Sequence, residues 1–115
     1  MDLSLNQLDD CSFLKNLSHL QALNLSNNKI NDFSFIEKFS KIQKIFLRDN
    51  QITDCSALKN LTQLRVISLA DNYVENVNFF KKFNLLEQLD LRNNRIAKLR
   101  LRSQSCALEL SFLKE

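Results

Sequence analysis

Glycine, proline and tryptophan are all absent from these 115 residues, and there is a single histidine, His19. Each gap removes a class of chemistry. A glycine-rich phosphate cradle is excluded outright. Nucleophilic catalysis by a serine with a histidine base has only one imidazole to draw on, and no histidine repeats near the recurring serines. His19 reads as a solvated surface residue, and the chain as non-enzymatic, with no cofactor or metal. No run approaches the ~20 apolar residues that a membrane span needs. The opening MDLSLNQLDD lacks the basic start and apolar core of a secretory signal, so the expected location is cytoplasmic, with secretion open if a leader has been removed. A net charge of +3 spread along the chain argues against an obligate nucleic-acid partner. Without glycine or proline, tight bends fall to Asn and Asp, which tolerate left-handed geometry and bond their own backbone.

What is present is a repeat. In LRVISLADNYVENVNFFKKFNL, residues 64–85, apolar residues fall at positions 1, 4, 6, 11, 14, 16, 17 and 20, with Asn72 at position 9. Steps of 22 preserve the columns. Position 9 reads Asn6, Asn28, Asn50, Asn72 and Asn94; position 6 reads Leu3, Leu25, Leu47, Leu69 and Leu91; position 11 reads Leu8, Ile30, Ile52, Val74 and Ile96. With 44% of the chain hydrophobic, chance would leave such columns about half filled. The pattern L-x-x-L-x-L-x-x-N-x-L resembles the leucine-rich repeat family over residues 1 to about 100. Phrases such as NQITDCSALKNLTQL, residues 50–64, are most similar to the 22-residue bacterial internalin type, with the phosphatase-regulatory-subunit type close behind. Where the internalin pattern usually carries Pro, at position 16, this chain has Phe13, Phe35, Ala57 and Phe79.

The resemblance implies an α/β repeat solenoid: a right-handed horseshoe with a parallel concave β-sheet and short convex helices. We expect one domain over residues 1–115, made of about five 22-residue turns. Positions 3 to 7 of each turn alternate polar and apolar and predict a short strand. The Asn column then supplies the bend, each side chain satisfying buried backbone groups of its own and adjacent turns. Position 15 holds Ser12, Ser34, Ser56 and Asn78, which predicts N-caps for the convex helices, with Ser34 and Glu37 as a capping box. The apolar residues at 16, 17 and 20 predict the buried face of about one and a half turns, open to the tighter 3₁₀ form. The Asp column at position 13, Asp10, Asp32 and Asp54, reads as bend and helix-terminus chemistry and not as calcium ligands.

Two regions depart from this plan. Met1 stands at position 4 with no strand before it, and near the other end Lys98 and Arg100 take the bend and cap positions 13 and 15 while Arg102 and Ser105 replace core residues at 17 and 20. An irregular C-terminal turn is expected over residues 100–115, one residue short, so that Ala107, Leu110 and Phe112 build a last strand. Ends without caps leave self-association at Met1 and Leu113 as one alternative role. The basic run RNNRIAKLRLR, residues 92–102, reads as a solvated terminal turn and leaves an adaptor in an RNA–protein complex as another.

Cysteines are read through their columns. Cys11 and Cys55 both occupy position 14, two turns apart. At ~4.8 Å per stacked strand they are at least ~10 Å from each other, beyond the ~7 Å a disulfide spans, so both are expected as small core residues. Cys106 lies near the end, where exposure is open.

Residues the stack does not need are the candidates for binding. Phe46 falls at outward position 5, mid-sheet, beside Val66 and Lys44, with Arg48, Arg65, Ser68, Asp90 and Arg92 around it. An aromatic and an aliphatic side chain rimmed by charges is the pattern of a protein-recognition hot spot. Tyr73, at position 10, is a rim contact. Acidic and basic residues balance over the outward positions, which suits a protein partner of mixed charge and not a polyanion. The expected function is a protein-binding module using its concave face.

Overall fold

A computed structural model describes residues 1–9, 11–76 and 83–95. The C-terminal turn and last strand expected over 100–115, with Cys106 and Leu113, lie outside them, as does most of the basic run. The strands are β1 (Ala22–Asn24), β2 (Lys44–Phe46), β3 (Val66–Ser68) and β4 (Gln88–Asp90), shorter than the predicted span of positions 3 to 7. They form one parallel sheet in the order β1-β2-β3-β4. Register follows the 22-residue step: Ala22 lies beside Lys44, Lys44 beside Val66, and Val66 beside Gln88. The first turn joins by a parallel bridge between Asp2 and Asn24, with Leu3 N donating to the Asn24 carbonyl at 2.8 Å.

The convex segments are 3₁₀ helices at Ser12–Asn16, Ser34–Lys38 and Ser56–Leu58. Their hydrogen bonds run through the apolar residues themselves. Ile36 N donates to Phe33 O, Phe39 N to Ile36 O and Ile42 N to Phe39 O, at 2.9–3.0 Å, and the Cys55, Leu58, Leu61 and Leu64 series repeats this one turn later. With three residues per turn, residues three apart eclipse, so positions 14, 17, 20 and 1 form one inward line. Phe33, Ile36, Phe39 and Ile42 are all buried on it. The same geometry corrects the expectation for position 16. It lies one residue off that line, and Phe13 is 60% exposed, Phe35 half-buried and only the small Ala57 buried.

The capping expectation also changes. The N-cap residues are Cys11, Phe33 and Cys55, without side-chain caps, so Ser34 starts no capping box. The carboxylates of position 13 act instead: Asp32 Oδ1 accepts from Ser34 N at 3.1 Å and Asp54 Oδ1 from Ser56 N at 3.0 Å. The Ser56 N–H is the main reason the Asp54 carboxyl sits below the usual carboxylate range.

Bends and buried backbone are divided between two adjacent columns. The left-handed residues are at position 8, Asn27, Asp49, Asp71 and Asn93, with φ of 60–61°. The Asn at position 9 is the linker between turns. Asn50 Nδ2 donates to Leu25 O and Leu47 O, each at 3.0 Å, while its Oδ1 accepts from Ile30 N at 3.0 Å. Asn28, Asn72 and Asn94 repeat the pattern one turn away on either side and beyond. Asn28, Asn50 and Asn72 are buried, and no buried side-chain polar atom is left unpaired among the described residues.

In the first turn position 8 is Leu5, at φ 59° and 78% exposed. A side chain with a Cβ is strained there, and leucine has no polar group to compensate. Leu5→Asn should raise folding stability by about 1 kcal/mol, measured by urea unfolding, because no buried surface is given up.

Cys11 and Cys55 are both buried thiols, as expected, and neither is in a disulfide. Burial, with help from Asp54, pushes the Cys55 thiol up to about 12. No helix among the described residues is long and apolar enough to cross a membrane, and no group of acidic, His or Cys side chains there is arranged to hold a metal ion.

Candidate functional site

Strand residues alternate between the core and the outer face of the sheet, so register decides what meets on that face. Leu23, Ile45, Ile67 and Leu89 point inward and are buried. Two rows are left outside: Ala22, Lys44, Val66 and Gln88, then Asn24, Phe46, Ser68 and Asp90. The second row has a structural use in other turns. Asp2, Asn24 and Asp90 accept the N–H two residues ahead, from Ser4, Ser26 and Arg92, at 3.0–3.2 Å. Phe46 has no acceptor and gives that bond up.

Ser68 is small, and it lies between two large neighbours in its row. The result is a hollow of about 260 Å³ whose lining includes Phe46, Val66, Ser68, Gln88 and Asp90. That is below the ~300–1,000 Å³ usual for small-molecule sites, and closer to the room one inserted side chain takes. Four predicted residues thus come together around one depression. Phe46 and Val66 are half-buried rather than fully exposed. Gln88 was not among the sequence candidates, although its place in the row beside Val66 follows from the 22-residue step.

The predicted charges are arranged less freely. Arg92 grips Asp90 with two contacts, Nε to Oδ1 at 2.9 Å and Nη2 to Oδ2 at 2.7 Å. Arg48 Nε bonds Asp71 Oδ2 at 3.0 Å, and Asn93 Nδ2 donates to the other Asp71 oxygen at 2.8 Å. The Asn93 amide, followed by Arg48, holds the Asp71 carboxyl below the usual carboxylate range against the opposing effect of burial. Arg65 pairs with Glu87 at 2.9 Å. Lys44 enters no ion pair among the described residues. Tyr73 is 41% exposed and set apart from the hollow, with the Arg95 guanidinium 4.4 Å from its ring centre.

One model of the leucine-rich repeat matches residues 19–40, and a two-copy model of leucine-rich repeats matches residues 40–82. The chain is a leucine-rich repeat protein. Among solved structures, an internalin from Listeria monocytogenes superposes with a TM-score of 0.89 at 27% identity, over 94% of this chain and 32% of that one. A second internalin of the same species gives 0.67 at 23% identity, covering 96% of this chain and 67% of the other. A leucine-rich repeat protein from Leptospira interrogans gives 0.83 at 24%, covering 95% and 30%. The last two share the fold alone. The chain therefore spans about a third of the first internalin's length. Comparison with curated protein sequences finds no significant match. Leucine-rich repeats of this kind serve generally in protein interaction and are typically not enzymes.

Proposed function

We propose that this leucine-rich repeat chain is a non-enzymatic binding module whose outer sheet face receives a protein partner. The observation that carries the reading is the hollow lined by Phe46, Val66, Ser68 and Asp90. Two apolar side chains held there without serving the core can be desolvated by a partner at little structural cost, which is what hot-spot residues do. Phe46 adds to this, because its position serves a backbone bond in other turns. Lys44, Arg48, Asp90 and Arg92 then supply orientation around the apolar centre, and Tyr73 a contact at the rim.

Replacing Phe46 and Val66 together with Ala should weaken partner binding by more than about 2 kcal/mol, roughly thirtyfold, while changing the urea midpoint little. The comparison is affinity capture from the native source with wild-type and doubly substituted protein, quantified by titration of the captured partner. Undiminished capture would remove the sheet face from the binding surface. A large loss of stability would instead place both residues in the core.

A further inference from the structure

Among the described residues, strands β1–β4 contain two charged residues, Lys44 and Asp90. Asp90 is neutralised by the two-point grip of Arg92, and the flanking Arg48 and Arg65 are held by Asp71 and Glu87. After these pairings Lys44 is the one strand charge without a counter-ion among the described residues, and it is exposed. It is diagonal to Ser68, which lies one strand over and two residues along. From strand spacing and rise, that diagonal is roughly 8 Å. Alternate residues of an extended chain are roughly 6.6 Å apart on one side, a separation that the long Lys44 side chain bridges.

We propose, resting on the sheet-face reading above, that the partner enters as an extended segment. One large apolar side chain sits over Ser68 between Phe46 and Asp90, and a carboxylate two residues away in that segment pairs with Lys44. The charge census chooses this occupant. A basic segment would have to displace Arg92 from Asp90 and would face Lys44 unscreened. A purely apolar segment would leave the exposed ammonium beside it partly stripped of water.

The test uses the full chain, isotope-labelled for amide chemical-shift titration, and short serine-based peptides carrying Phe-Ser-Asp, Phe-Ser-Lys or Ala-Ser-Asp, each in both orders. The Phe and Asp peptide should shift the amides of Ser68 and Asp90 and bind about two- to fivefold tighter than the Phe and Lys peptide, the preference a single exposed ion pair supplies. In Lys44→Gln that preference should fall to near one, and Ala in place of Phe should abolish the shifts. Equal affinities, or a preference that persists in Lys44→Gln, would overturn the assignment of the carboxylate to Lys44. The sheet face would still stand as a binding surface if both Phe peptides shifted Ser68 and Asp90. Shifts from none of the peptides would overturn the proposal as well, and partner capture with the Phe46 and Val66 variant then decides separately whether the face binds protein.

Discussion

Asn50→Ala should remove roughly 3 kcal/mol or more of folding stability, read as a fall in the urea midpoint, whereas Asn6→Ala should cost under about 1 kcal/mol. Asn50 is 5% exposed and bonds two successive turns at once. Its amide donates to Leu25 O in the turn before and Leu47 O in its own, and its oxygen accepts from Ile30 N. Alanine satisfies none of these: the Ile30 N–H is left stripped at about 1–3 kcal/mol, while Leu25 O and Leu47 O keep the Asn28 and Asn72 amides and each lose one of two donors at about 0.5–1.5 kcal/mol, less whatever relaxation recovers. For a domain whose whole stability is typically about 5–15 kcal/mol, that is a large fraction. Asn6 makes the same kind of bonds, to Leu3 O and Ser4 O at 2.9 and 3.1 Å, but in an exposed turn where water substitutes. In a stack where each turn contacts only its neighbours, a break at one joint also weakens the two segments it separates. Equal effects at Asn50 and Asn6 would mean that the Asn column acts through bend geometry alone.

The Asn column and the core lines at positions 4, 6 and 11 were legible because each repeats one residue type in one environment, and a 22-residue step then fixes the register of Lys44, Val66 and Gln88 without further information. The division of labour between positions 8 and 9 was not. Both are filled by Asn or Asp in most turns, and only backbone angles separate the residue that bends from the residue that links. Leu5 hid the pattern further, since a leucine gives no sign of a left-handed site. The candidate site was legible in its membership and not in its electrostatics. Sequence spacing puts Arg48, Asp90 and Arg92 on one face, but whether an arginine reaches its own strand, as Arg92 does for Asp90, or the next turn, as Arg48 does for Asp71, is decided by side-chain conformation. That choice is what singles out Lys44.

The second large effect separates two phenylalanines that spacing alone treats alike. Phe39→Ala should cost about 3–5 kcal/mol and Phe13→Ala under about 1 kcal/mol. Both occupy apolar columns, 20 and 16, and a helix with 3.6 residues per turn would bring both toward one face. The segment is instead a 3₁₀ helix, in which Phe39 continues the line from Phe33 and Ile36 while position 16 is turned aside. Phe39 is fully buried, edge-on to Phe35 with ring centres 6.1 Å apart, so alanine leaves a cavity between turns that the rigid ladder of backbone bonds cannot close. Phe13 is 60% exposed, and truncating it removes little buried area. Thermal or urea unfolding of the two variants side by side checks this. A Phe13 loss as large as that of Phe39 would mean that the convex segment winds as an α-helix with position 16 inside.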